Sequence, residues 1–191
     1  MRFAAALFFL LAAIPAAAQR DAPPNSILLV AKPSLTDPNF RETVVLVTQA
    51  PDASTIGVVL NRPAGKPHEK TGEPMYTGGP LMPQVTVALF AADRAPVASF
   101  QVLQGVYLSM HPQNVDALPF RPGQRLRFFT GFAGWAPDQL QRELQLDAWF
   151  VLPVREEFLF RANTQGMWKE LFDMARGSRA DAPVKPDILF S

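Results

Sequence analysis

Two histidines, His68 and His111, are the chain's only imidazoles, and there is no cysteine. A serine–histidine–acid triad therefore has two possible bases, and thiol nucleophiles, thiolate metal centres and disulfides are excluded. No G-x-S-x-G run supplies a nucleophile elbow. His68 lies in the Gly/Pro/Lys-rich stretch Ala64 to Met75 and reads as a solvated loop residue. His111 follows Ser109-Met110 and precedes Pro112, nearer to ordered structure. Ser34, Ser99 and Ser109 are its possible partners, and nothing local distinguishes them. The two histidines show no metal-ligand spacing with a carboxylate, so no metal is expected. Glu156 and Glu157, read as strand neighbours, face opposite ways and make a poor acid/base pair.

Anion binding has three candidate places. The first is Gly131 to Pro137, GFAGWAP, read as a glycine turn between a strand and a helix, where backbone N–H groups can meet an anion. Asp138 opposes this, because a carboxylate in a helix's first turn already occupies the favourable potential. The second is Arg121, Arg125 and Arg127. The last two share a strand face at period two and can meet phosphates side by side, or serve as charges on a solvated edge strand. The third is Asn61-Arg62. Pro63 holds the preceding residue extended and aims its guanidinium outward, which suits a carboxylate or phosphate; Asn61 can equally cap the end of the sheet.

These residues need elements to hold them. Ile27 to Ala31, Thr43 to Thr48 and Ile56 to Leu60 are apolar runs of strand length, the last two apolar on both faces and so interior to a covered sheet. Asp37-Pro38-Asn39-Phe40 is a turn, with Asp bonding the backbone and Pro presetting φ. Val85 to Phe90 is a strand. Phe100 to Leu103 and Val106 to Ser109 form a hairpin about Gln104-Gly105. Pro112 to Leu118 reads as a short helix. Leu126 to Thr130 is a strand, and a helix from Pro137 to Asp147 lays Leu140 and Leu144 on the core, with Gln141, Arg142 and Glu143 turned mostly outward. Ala148 to Leu152 extends again, followed by Glu157 to Phe160. A last helix has Asn163 as N-cap, an apolar stripe of Met167, Trp168, Leu171, Phe172 and Ala175, and Gly177 as its close. Trp135 and Trp149 read as core.

The chain has 191 residues, 48% of them hydrophobic, with 15 Phe, enough for one domain with a sizeable core. A formal charge of +1, from 18 basic and 17 acidic residues, gives no global field for nucleic acid or an anionic membrane. At the N-terminus, Arg2, the apolar run Phe3 to Ile14, Pro15 and Ala16-Ala17-Ala18 follow the basic, hydrophobic and A-x-A order of a secretory signal peptide. The run is shorter than the about 20 residues of a bilayer span, so cleavage after Ala18 and no lasting membrane span are expected. Loss of Arg2 with the leader takes the formal charge from +1 to zero. The expected layout is a leader over 1–18, a polar spacer over 19–25, one domain over 26–177 and a mobile tail over 178–191.

Four segments together resemble one family. AKPSLTDPNFRETVVLV, the GVVLNRP strand end, the GGP turn at Gly78-Gly79-Pro80, and Ala133-Gly134-Trp135 with Gln139-Leu140 and Ala148-Trp149 are similar in order and place to the YqgE/AlgH family of bacterial proteins, over roughly residues 25 to 177. Two departures stand out. Relatives carry a longer, partly helical insert between their equivalents of Pro63 and Gly78, and a histidine where this chain has Phe90.

The resemblance implies an α+β domain with a mixed, mainly antiparallel sheet flanked by a few helices, as the residues themselves suggest. The family commonly bears the label of transcriptional regulator connected with alginate production, without an established molecular activity. What it implies here is a non-catalytic binding or regulatory module with no cofactor and an unidentified small-molecule or protein partner. Its motif surface would comprise Lys32, Asp37, Phe40, Asn61, Arg62, Gly78, Gly79, Gly131, Gly134, Trp135 and Gln139. The leader places the protein in the periplasm or outside the cell, which removes it from the chromosome. Two alternatives stay open. One is a hydrolase or transferase acting on a small anionic substrate, and the other a cytoplasmic regulator whose true start lies elsewhere.

Overall fold

The computed structural model describes residues 26–49, 54–118 and 125–179; the expected leader, spacer, Arg121 and tail from residue 180 lie outside them. In chain order the elements are β1 (Ser26–Ala31), β2 (Val44–Gln49), β3 (Thr55–Val59), β4 (Pro63–Pro67), β5 (Pro74–Thr77), β6 (Leu81–Ala91), β7 (Phe100–Leu103) and β8 (Val106–Ser109). After these come α1 (Pro112–Ala117), β9 (Leu126–Trp135), α2 (Gln139–Gln145), β10 (Trp149–Pro153), α3 (Glu156–Leu159) and α4 (Met167–Arg179).

The strands form one curled sheet in the order β10-β1-β2-β3-β9-β6-β8-β7, with the β4–β5 hairpin joined through β5 to β9. Every pairing is antiparallel except β5 with β9. This is the mixed, mainly antiparallel α+β architecture expected from the sequence.

Period-two alternation divides the interior strands between two covers. Leu28, Val30, Val44, Leu46, Val58 and Leu60 face the apolar stripe of α4, Met167, Leu171 and Ala175, together with Phe158 and Leu159 of α3. Leu29, Ala31, Val45, Val47 and Val59 face Trp135, Leu140 and Trp149 on the other side. Each fully buried aliphatic side chain contributes about 1.5–3 kcal/mol, so the two-sided burial of β2 and β3 anchors the domain. A third cluster, around Phe90, Tyr107 and Phe128, continues the core under α1.

β9 is the hub. Its end, Ala133 to Trp135, pairs with β3, its beginning with β5, and its other edge with β6. The segment expected as a glycine turn is thus strand from Gly131 to Trp135. Where β3 leaves β9 and β5 takes its place, Val59 N donates to Gly78 O at 2.8 Å and Gly78 N to Thr130 O at 2.9 Å. The backbones crowd there: a Cβ on Gly79 would lie 2.3 Å from the carbonyl of Phe132, and Gly131 sits at φ +66. Only a residue without Cβ allows this approach.

Other expectations are corrected by long-range pairing. Ala64 to Met75 is a hairpin rather than a loop, because β5 finds an edge of β9 to extend. β9 is interior, so Arg125 and Arg127 do not mark a solvated edge. Glu156 and Glu157 begin the one-turn helix α3, not a strand. α2 starts at Gln139, with Pro137 outside it and Asp138 left-handed at φ 63, making no capping bond. α4 starts at Met167, whereas Asn163 closes a separate turn with its side chain on Gln165 N at 2.9 Å. Gly177 does not close α4, which continues to Arg179. No helix among the described residues is long and apolar enough to cross a membrane.

Candidate functional site

The loop leaving β1 decides where the motif residues go. Phe40 N and Arg41 N both donate to Asp37 O, at 3.0 and 2.8 Å, and Asn39 N donates to the Asp37 carboxylate at 2.8 Å. This tight turn splits its side chains between two environments. Arg41 stays in solvent, whereas Phe40 turns in against Trp135 and Trp149, with ring centroids 5.9 and 5.8 Å away.

On the Phe40 side the site is closed. Trp135 Nε1 and Trp149 Nε1 both donate to Glu143 Oε2, at 3.1 and 3.0 Å, and Gln139 Nε2 donates to Glu143 Oε1 at 3.1 Å. Both indoles are 4% exposed. Glu143, expected to face outward, is therefore the acceptor that lets two tryptophans be buried. The spacing of Gln139 and Glu143, four apart on α2, was the available signal for it. Lys32 is also enclosed. Its ammonium pairs with Asp147 and lies 4.3 Å from the Phe150 ring centroid.

On the Arg41 side the site is open. Asn61 caps the sheet end, its Oδ1 accepting from Val44 N and its Nδ2 donating to Glu42 O, each at 2.9 Å. Arg62 bends back over the loop, donating from Nη1 to Asn39 O at 2.7 Å and from Nη2 to Arg41 O at 3.4 Å. Between these residues and Thr164, Gln165, Trp168 and Lys169 runs an open groove of about 430 Å³, also lined by Arg41 and Glu42.

The eleven motif residues thus occupy three places, two of them joined by the Asp37 loop. Asp37, Asn61 and Arg62 belong to the turn and groove; Phe40, Trp135 and Gln139 belong to the tryptophan cluster, with Lys32 near its edge. Gly78, Gly79 and Gly131 lie at the β5–β9–β6 crossing, and Gly134 packs against Leu81.

The remaining polar residues have structural duties. Ser109 Oγ donates to Ala98 O at 2.9 Å and accepts from Asn114 Nδ2 and from the His111 backbone N–H. The His111 Nδ1 is buried without a hydrogen-bond partner among the described residues, so no serine–histidine relay is formed there. His68 stacks on Phe128, centroids 3.9 Å apart and planes 8° apart, and Thr71 Oγ1 lies 3.1 Å from its Nδ1. This corrects its reading as a solvated residue. Burial against the ring, helped by the charge of Lys70, lowers its pKa from the ordinary histidine value. Among the described residues no three His, Cys, Asp or Glu side chains gather as a metal site requires.

Arg127 was read as a surface contact and is core. It is 5% exposed, with its guanidinium 3.7 Å from the Tyr76 ring centroid. It donates to Leu159 O at 3.0 Å and Leu60 O at 2.8 Å. Desolvation lowers its pKa from the usual arginine value. Arg125 pairs with Glu156 at the surface. The two therefore do not present phosphate contacts side by side. LRFF is apolar around Arg127, but it is the pairing of β9 with β5 on one edge and β6 on the other that buries the guanidinium.

Comparison with known proteins agrees with this architecture. The AlgH-like family model (DUF179) matches residues 28–180. A UPF0301 protein of Thermobifida fusca is 34% identical over 184 residues, covering 83% of this chain and 90% of its own. One from Streptomyces coelicolor is 33% identical over 176 residues, covering 84% and 91%. Among solved structures, that of AlgH from Pseudomonas aeruginosa is similar with a TM-score of 0.63 and 23% identity, over 84% of this chain and 94% of that one. Protein DIP2367 from Corynebacterium diphtheriae gives a TM-score of 0.63 and 22% identity, over 90% and 93%, a likeness of fold. With a family model spanning most of the chain, relatives aligned over nearly their full length and the same curled sheet in solved structures, this protein belongs to the AlgH-like family.

Proposed function

We propose that this protein is an exported, non-catalytic binding module that captures its ligand or partner in the groove beside Asn61 and Arg62. One observation carries the reading. Among the described residues Arg62 is held in place only by backbone carbonyls of an exposed turn, at the mouth of an open polar groove. A guanidinium oriented in this way and not neutralised by a carboxylate is prepared for an external acceptor. The Ser109 hydroxyl and His111 imidazole do not engage each other, which favours binding over turnover. Export is supported by the basic, apolar and A-x-A order of residues 2 to 18.

The experiment has two parts. Fractionation and N-terminal sequencing of the native chain are expected to return a start near Gln19 outside the cytoplasm; an intact Met1 in the cytoplasm would remove the export half. Capture of ligands or partners by the mature chain is expected to be lost in Arg62→Ala. Unchanged capture by a folded Arg62→Ala protein would remove the groove as the binding surface.

A further inference from the structure

The groove has a sign. Arg41, Arg62 and Lys169 line it as cations and Glu42 as the single carboxylate. Among the described residues neither Arg41 nor Arg62 is ion-paired. Lys169 meets Asp173 one turn along α4, with the two side chains 75% and 49% exposed. An exposed pair of that kind is screened by water and competes weakly for its ammonium.

The bonds of Arg62 say how the groove is held ready. Its acceptors, the Asn39 and Arg41 carbonyls, are neutral, and the second is 3.4 Å away. Exchanging such an acceptor for an anionic oxygen replaces an ion–dipole hydrogen bond with a hydrogen-bonded ion pair, in which the guanidinium's charge is also matched. Arg41 lies on the same turn, and Lys169 stands across the groove in the first turn of α4.

We propose that the groove is a site for a compact ligand carrying two negative charges on oxygen, a phosphate monoester or a dicarboxylate, held between Arg41 and Arg62 on one wall and Lys169 on the other. This rests on the groove being the binding surface. Glu42 on the rim limits the charge accepted and gives a ligand hydroxyl an acceptor.

The test is titration of the mature chain at low salt with glycerol phosphate, succinate, inorganic phosphate and neutral glycerol. Heat is read together with the fluorescence of Trp168, which lines the groove. One saturable site for glycerol phosphate, succinate or both is expected, absent for glycerol and weakened by salt. Arg41→Ala and Lys169→Ala, both exposed positions, should each weaken it at least about tenfold, the scale of one charge-assisted bond. Glu42→Gln should tighten it. Glycerol phosphate alone would identify the phosphoryl source, and succinate alone a pair of carboxylates.

No saturable binding to a natively folded chain overturns the proposal, as does binding that ignores Arg41 and Lys169. If partner capture is then still lost in Arg62→Ala, the groove remains a binding surface for another class of ligand. If capture survives as well, both readings fall.

Discussion

Arg127 and Arg62 each donate to two backbone carbonyls, and among the described residues neither is paired with a carboxylate, but they sit in opposite kinds of environment. Arg127 is enclosed among Tyr76, Phe129 and the ends of β3 and α3, beside the crossing where Gly78, Gly79 and Gly131 let backbones meet. Arg62 stands half-buried at the rim of a groove, on a turn whose neighbours are in water. The same donor therefore does different work. In the crossing, releasing a carbonyl would strand it away from water, so the guanidinium is committed to the fold; at the rim, water can take the carbonyl and the guanidinium can exchange partners.

Gly79→Ala should break the crossing most severely. Its Cβ would lie 2.3–2.4 Å from the backbone of Phe132 and Ala133, which cannot yield as a side chain would, and a cost above about 4 kcal/mol is expected. Soluble yield and the urea midpoint report it.

Arg127→Ala comes next. It strands two buried carbonyls at about 1–3 kcal/mol each and empties the space over Tyr76, offset in part by removing a buried charge, for a net loss of about 3 kcal/mol. Arg127→Met, which keeps volume, should lose roughly half as much. Should Arg62→Ala shift the urea midpoint as far as Arg127→Ala, the contrast drawn between rim and crossing is wrong.

Glu143→Ala tests the closed end of the Asp37 turn. It leaves the Trp135 and Trp149 N–H groups unpaired, for about 2–3 kcal/mol and a red-shifted tryptophan emission, while ligand capture by the remaining folded protein persists. Arg62→Ala and Lys169→Ala should each lie within about 1 kcal/mol of the parent in stability, their effect appearing in binding.

The smallest effect is one of pH. His68 titrates below the ordinary histidine value in the folded chain because it is desolvated against Phe128. As pH falls, the unfolded chain takes up the proton first. The contribution is complete above about pH 6.5 and is lost as pH drops through the lower folded value. His68→Phe should flatten that slope; an unchanged slope would mean that another group is responsible.

How much of this was legible can be judged element by element. The interior strands and the Asp37 turn could be read because apolar alternation and turn chemistry act between near neighbours. The stripe of α4 was found for the same reason, but its ends were not, since Asn163 served a turn of its own. GFAGW was misread because glycine marks both turns and close strand approach, and only the presence of Gly78 and Gly79 across from it distinguishes them. Of the site, Asn61 and Arg62 were found as a strand end, but not the opposite wall of the groove at Thr164 to Lys169.

By itself the sequence determined the interior strands, the apolar stripes of α2 and α4, the family resemblance and the small, balanced charge. Tertiary structure alone decided which arginine is core and which is rim. The reason is distance along the chain: the partners of Arg127 lie 32 and 67 residues away, and no local pattern carries a contact that only sheet register creates.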